Sequence, residues 1–379
     1  MVTPLVFATA LGLTLTTDVS KASAQPKPPR EETIPTADGM KLRGLFHRSP
    51  KGDSTSPVVL FLYPPGLDHT MTKPGDWDGL ANTLNAEGFH VFRFDWRGHG
   101  KSTDISDPVG DNMSPFSGFW VNRYTGPYNQ KCVPNWNRKP VKNDLLVKEI
   151  KPWYFPVYVE DLAAVRVYLD QLNDQGDLNS SSIYIIGAED TAALGFLWMA
   201  AEWNRPGIHP ILGMGQQYKV VPTPGIVNDP EGGRDVAGAI WLSATRPANV
   251  PSISGQTIQK WVRDNLKLRD NIPMVFLYGE KDPNGKSNAL FYFDEVLVAK
   301  GNKTGGVNPL TQTFERPITG PNTNLKGSAL LGKNSELKTE DTIVAYLKAR
   351  QKERVAITVK RRSYVAPYYI NLPSFGVNP

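Results

Sequence analysis

Three carboxylates in this 379-residue sequence stand where strands should end. Glu189 and Asp190 lie in Gly187-Ala188-Glu189-Asp190-Thr191, after the apolar run Ile183-Tyr184-Ile185-Ile186, and Asp282 closes Gly279-Glu280-Lys281-Asp282, after Pro273 to Tyr278. Brought together at one edge of a sheet, they would suit a hard cation or acid/base work on a glycosidic bond. A carboxylate can also attack an electrophile and pass through an ester. Such a mechanism needs a base to activate water, and the histidines are His47, His69, His90, His99 and His209, none of them after Asp282. His69, in the loop Pro64 to His69, could approach from another side, whereas His99 sits inside a glycine-rich turn and reads as structural. The single cysteine, Cys132, excludes an intrachain disulfide and a cysteine-rich zinc site. With no H-E-x-x-H, P-loop, G-x-G-x-x-G or EF-hand pattern, no cofactor and no metal are expected.

What must position these groups is an alternation of strand-length apolar runs and helix-length amphipathic stretches. That is the pattern of a mostly parallel sheet with helices on both faces. Strands are predicted at 41–47, 57–63, 90–95, 183–186, 236–242, 273–278 and 311–316, and helices around 76–87, 157–173, 191–203, 256–268, 287–299 and 338–350. The strand Pro57 to Tyr63 is nearly all apolar and therefore central. From Thr103 to about Pro156 periodicity disappears, while Trp120, Tyr124, Tyr128, Trp136, Trp153 and Tyr154 gather among Pro, Gly and Asn. So long an aperiodic segment in a compact domain is often a lid or binding loop. The same aromatics could equally pack the loop onto the body. Residues 205–235 form a second Gly/Pro-rich excursion.

Forty per cent apolar residues suffice for one large α/β domain. Residues 1–24 pair an apolar run, Pro4 to Thr17, with a small-residue end, Ala22-Ser23-Ala24. They read as a signal peptide cut before Gln25, which would put the mature chain in the periplasm or outside the cell. Residues 25–34 are expected as a flexible leader, 35–350 as the folded domain with an insertion at about 103–156, and 351–379 as a basic tail. The net charge of +5 is concentrated in residues 348–362, where seven Lys and Arg accompany only Glu353. The body is near neutral, so nucleic acid is not an expected partner, and the run reads as a solvated helix end followed by a surface strand. Beyond residue 24 no stretch approaches the ~20 apolar residues of a membrane span.

Asp95-Trp96-Arg97-Gly98-His99-Gly100-Lys101-Ser102 resembles the D-x-R-G-x-G-x-S turn of the α/β-hydrolases, including the serine aminopeptidase type. The strand-turn-helix around Gly187 falls where that family has its G-x-S-x-G elbow, and Gly279 to Asp282 is similar to its G-x-x-D acid turn. The resemblance spans about residues 35–350 and implies an α/β-hydrolase fold. At the site the sequence departs from the family: Glu189 stands in place of the nucleophilic serine and Thr191 in place of the second glycine. Where the catalytic histidine would fall, in Gly327-Ser328-Ala329-Leu330-Leu331-Gly332, the resemblance puts Leu330 or Leu331, and leucine takes no proton. Aligning Tyr63 with the histidine of H-G-x-G puts Pro65, which has no N–H, at one oxyanion donor, although Gly66 could donate if the register shifts by one. The other donor would be Asp190, whose own charge opposes an oxyanion. Asp282 alone keeps the family identity, and an Asp at a strand end is also a common turn cap.

These residues imply an exported hydrolase-fold protein without triad hydrolysis, engaged in binding through its aromatic loops at Trp120, Tyr124, Tyr128, Trp136 and Trp153. The alternative is an active esterase or aminopeptidase-like hydrolase with a rearranged site.

Overall fold

A strand that is apolar at every position can sit only where both faces are covered. The computed structural model describes residues 28–36, 38–66, 70–71, 73, 75–105, 144–204, 210–211, 219–220, 232–247, 253–263, 265–297, 307–308, 312–354, 358 and 370. The strands are β1 Arg30–Pro35, β2 Met40–His47, β3 Pro57–Leu62, β4 His90–Phe94, β5 Asn179–Ala188, β6 Val236–Leu242, β7 Met274–Gly279 and β8 Thr313–Ile318. They form one sheet in the order β1-β2-β4-β3-β5-β6-β7-β8, extended by Val307–Asn308 beside β8 and by Asp104–Ile105 beside β2. Every pairing from β4 through β8 is parallel, whereas β1–β2 and β2–β4 are antiparallel. The predicted strands ending near Tyr63, Asp95, Ile186, Leu242 and Tyr278 are therefore consecutive neighbours, with the strand before Glu189 at the centre.

Period-two alternation divides the side chains between two cores. Val59, Phe61 and Tyr63 face α1 (Trp77–Ala86) and α7 (Thr339–Glu353), joining Trp77, Leu80 and Leu347. Val58, Leu60 and Leu62 face the opposite way, into a core with α2 (Tyr158–Asp174), α3 (Thr191–Asn204) and α4 (Gly255–Arg263). Two shorter helices, α5 Leu266–Asn271 and α6 Gly285–Leu290, complete the set.

Several boundaries differ from the sequence expectation for identifiable reasons. The stretch read as a leader already contains β1, whose polar residues show no alternation because it is an edge strand defined by its ladder to β2. The central strand extends back to Asn179, since Asn179 and Ser180 to Ser182 are buried and satisfied; Ser180 Oγ donates to Asp170 at 2.7 Å. The helix expected over 256–268 breaks at Asn265, whose side chain accepts the Leu268 N–H at 3.1 Å and caps α5. The last helix runs to Glu353, inside the segment read as a tail. Arg354 then donates to the carbonyls of Ser181 and Arg234, and Ile370 is buried with its N–H on Glu160 Oε2 at 3.1 Å. That much of the tail is docked on the body. The expected signal peptide, Cys132, most of the 103–156 insertion and most of the 205–235 excursion lie outside the described residues.

The turn after β4 is held by a buried charge and by backbone donors. Asp95 accepts the N–H groups of Met71 (2.7 Å) and Lys101 (3.0 Å), and a β-carbon at Gly100 would overlap its carboxylate. Ser102 Oγ donates to Asp95 O at 2.6 Å and accepts the Arg43 N–H at 2.8 Å, tying the turn to β2. Arg97 has no exposed side-chain surface and pairs with Asp38 (2.6 Å) and Asp161 (2.7 Å). Burial alone would lower its pKa, but the charges of Asp161 and Asp38 outweigh that and raise it well above the ordinary value.

His47, His90 and His99 are buried, and burial lowers the pKa of each. His99 lies 3.0 Å from Arg97 O, as befits a structural residue. For His47, burial and then the Arg93 charge bring the pKa down to about 4. An imidazole that stays neutral in the fold but protonates when unfolded contributes stability above a pH of about 6.5, lost as pH falls toward its folded value. Urea unfolding should therefore show the wild type losing more stability than His47→Phe between about pH 7 and pH 5, by up to ~2 kcal/mol. Parallel pH profiles would refute this.

Candidate functional site

Three successive strand ends solve the same backbone problem. The first residue past β5, Glu189, donates its N–H to Leu242 O (2.9 Å). The first past β6, Ser243, donates to Leu277 O (2.7 Å), and the first past β7, Glu280, to Ile318 O (3.0 Å). Each N–H continues the parallel ladder onto the neighbouring strand. Glu189 and Ser243 at the same time have φ of 52° and 46°, in the left-handed region that L-residues rarely adopt. This turns the chain sharply out of the sheet, and after Glu189 it enters α3 at once, with Ala192 N–H on Glu189 O at 3.2 Å.

The elbow around Glu189 is tightly built. A β-carbon at Gly187 would lie 2.6 Å from Thr191 Oγ1 and 2.8 Å from the Trp241 ring, so glycine is required there. Thr191, in place of a second glycine, points its hydroxyl to Ala188 O at 2.7 Å, bracing the helix start. The Glu189 side chain rests against Gly327, where a β-carbon would overlap its carboxylate and where φ is 57°.

Asp282 sits in a tight turn, its N–H on Gly279 O at 2.9 Å and its Oδ1 accepting the Asn284 N–H at 3.1 Å. It is both a turn brace and a wall of a cleft of about 350 Å³ at the C-terminal edge of the sheet. Glu189, Ser243, Thr245, Asn288 and Lys326 line the same cleft. The site residues expected from sequence are thus only partly united. Glu189 and Asp282 both line the cleft, whereas Asp190 and Pro65 do not. Asp190 bonds to the Thr245 side chain; burial raises its pKa, against that bond and the Lys326 charge. Pro65 and Gly66 are half-buried in the loop after β3. Leu330 and Leu331 are fully buried in the α1/α7 core, and the same loop instead offers Lys326 and Asn324 to the cleft. Among the described residues no group of three or more His, Cys, Asp or Glu is placed to hold a metal ion.

Sequence reasoning missed Ser243, Thr245 and Lys326. One signal was available for the first two, since ligands of open α/β sheets gather beyond the carboxyl ends of strands, and Ser243 is the first polar residue after an all-buried strand. Of the aromatic residues singled out, Trp120, Tyr124, Tyr128 and Trp136 lie outside the described residues, as do His69 and His209. Trp153 is 44% exposed with Lys151 Nζ 4.8 Å from its ring centre, and Tyr154 is buried against Arg97. Among the described residues no helix is long and apolar enough to cross a membrane.

The strand order, the elbow after the central strand and the acid turn two strands further along define an α/β-hydrolase fold. No family model matches the chain, and no curated protein matches it. Among solved structures it is similar to an esterase of Pyrococcus furiosus, at 12% identity and TM-score 0.42 over 85% of this chain and 92% of that one. It is also similar to a fungal esterase from Rhizomucor miehei (11%, 0.46, over 87% and 86%) and to dipeptidyl peptidase 4 of Porphyromonas gingivalis (12%, 0.44, over 86% and 36%). The fold stands on the strand order and pairings above rather than on these likenesses.

Left-handed backbone costs an L-residue about 1–2 kcal/mol, and glycine avoids that at an entropic cost of about 0.5–1 kcal/mol. Glu189→Gly is therefore expected to raise the unfolding free energy by up to ~1 kcal/mol, while Glu189→Val, β-branched at the same φ, lowers it by ~2 kcal/mol or more. Thermal or urea unfolding of the two variants checks this. A Glu189→Gly protein clearly less stable than wild type would mean that contact with Gly327 outweighs the strain.

Proposed function

We propose that this chain is an exported α/β-hydrolase-fold protein that does not perform triad hydrolysis and instead binds a small ligand at the C-terminal edge of its sheet. The observation that carries the reading is the pairing of Glu189 with the loop after β8. A carboxylate occupies the elbow and rests on Gly327, and the leucines of that loop are sealed in the core. A serine at its ordinary pKa is a weak nucleophile until a neighbouring base accepts its proton. The described histidines, His47, His90 and His99, do not line the cleft, so replacing Glu189 by serine restores a hydroxyl without a base.

The left-handed elbow favours one second reading, an esterase-type enzyme in which the Glu189 carboxylate itself attacks the acyl carbon. The C–O bond to the alcohol then breaks to leave a mixed anhydride, and water cleaves that anhydride to the acid, its protons going to the departing alcohol and the product acid. Incubation with a fluorophosphonate probe and with chromogenic esters separates the two. We expect no labelling and no turnover from either the wild type or Glu189→Ser. Ester hydrolysis by the wild type that disappears in Glu189→Gln, or labelling at a defined serine, would establish the enzyme instead.

Export rests on the apolar run and small-residue end of residues 1–24. Protein recovered from the periplasm or medium of an expressing bacterium should begin at Gln25 by N-terminal sequencing. A chain retained in the cytoplasm and starting at Met1 would refute it.

A further inference from the structure

Glu160, in the first turn of α2, is a carboxyl group whose surroundings oppose its charge. The residue is 3% exposed, and its Oε1 is buried without a hydrogen-bond partner. Its Oε2 accepts the N–H of Ile370 at 3.1 Å, and Ile370 is itself 3% exposed in the same apolar core as Trp96, Tyr158 and Leu162. An ionised carboxylate has about four acceptor sites to satisfy, and burying it with most of them empty is far more costly than burying the neutral acid.

The charged groups that face Glu160 do not answer it either. Among the described residues Arg97 is the cation acting on it, and that guanidinium is committed to Asp38 at 2.6 Å and Asp161 at 2.7 Å, with the Tyr154 hydroxyl at 3.0 Å. Two carboxylates already share one guanidinium, so an ionised Glu160 would be a third negative charge beside it. Burial accordingly pushes the Glu160 carboxyl well above the usual carboxylate range. The Ile370 N–H and Arg97 pull the other way, while Asp38 and Asp161 add to the rise. Asp161, raised by burial to about 6 against the pull of Arg97, bonds Arg97 rather than Ile370. His99, whose ring meets that of Tyr158, is held by burial below the usual histidine value.

We propose that Glu160 and Ile370 form a pH-sensitive latch, in which Ile370 docks on the neutral Glu160 carboxyl and is released when that carboxyl gives up its proton to water. With Ile370 withdrawn, Glu160 meets water and ionises at the ordinary glutamate value of about 4.3. The docked state holds the proton more tightly than the released state. Docking is therefore strongest below that pH and weakens as pH rises, by up to about tenfold per pH unit, until Glu160 ionises in place. The latch involves none of the cleft residues, so it stands or falls separately from the binding reading.

Amide hydrogen exchange of the full chain, carrying isotopically labelled isoleucine, reads the latch at the bond itself. Protection is the measured rate set against the intrinsic rate at each pH, in the regime where closing outruns exchange. Between about pH 5 and pH 8 the Ile370 amide, assigned by its loss in Ile370→Val, should lose at least about tenfold in protection relative to the Ile185 amide. Ile185 lies in the central strand between β3 and β6 and reports opening of the whole sheet, including the effect of titrating Asp161. Glu160→Gln is neutral at every pH and still offers Ile370 a carbonyl oxygen, so it should leave that ratio flat. The latch is overturned if the wild-type ratio does not change with pH, if Glu160→Gln keeps the wild-type slope, or if the Ile370 amide is unprotected at pH of about 5. Should Glu160→Gln fail to fold, the ratio of the two amides in the wild type decides by itself.

Discussion

The ion pairs of a guanidinium with no exposed surface, that of Arg97, are the interaction on which the rest of the architecture depends. Its partners come from distant parts of the chain: Asp38 from the turn between β1 and β2, and Asp161 from the first turn of α2. Tyr154, from the segment leading into α2, adds its hydroxyl at 3.0 Å. A buried pair of this kind contributes little net stability compared with well-packed apolar residues, but breaking it strands a charge and costs about 3–5 kcal/mol. Its effect is therefore to exclude other arrangements. The edge hairpin, the turn after β4 and the helix before the central strand reach their places together or not at all.

With those elements placed, the sheet delivers its functional edge through the backbone. A parallel strand that simply stopped would leave N–H groups unpaired in a dry environment, which proteins avoid. Here Glu189, Ser243 and Glu280 each lend an N–H to the next strand while the chain leaves the sheet. At Glu189 and Ser243 the cost is a left-handed backbone, and the return is two side chains held at the rim on rigid supports. The left-handed turn out of the central strand thus stands as a geometric device with a carboxylate on it. Its opposite wall is Gly327, whose lack of a side chain is what allows Glu189 to lie there.

The alternation of apolar runs and amphipathic stretches made the sheet and its helices legible in the sequence, because burial on both faces demands unbroken apolar strands such as Pro57–Leu62. The edge strand Arg30–Pro35 was not legible. Among the described residues it pairs on one side only, so its composition is under little apolar constraint and its ladder to β2 marks it. Asn179–Ser182 misled for the opposite reason: polar residues were buried, made tolerable by partners such as Asp170 and Asn173 that lie on α2.

For the site, the sequence by itself determined which residue types stand at the elbow, the acid turn and the loop after β8, and so the absence of a histidine beyond residue 209. Side-chain chemistry is local and survives any fold. Only the tertiary structure decided which of those residues meet. Leu330 and Leu331 went into the core, Lys326 came to the cleft in their stead, and Ser243 joined from a strand end some fifty residues after Glu189. That outcome depends on parallel pairing, which sets the carboxyl ends of β5, β6 and β7 side by side through crossovers that leave no periodic trace in the chain.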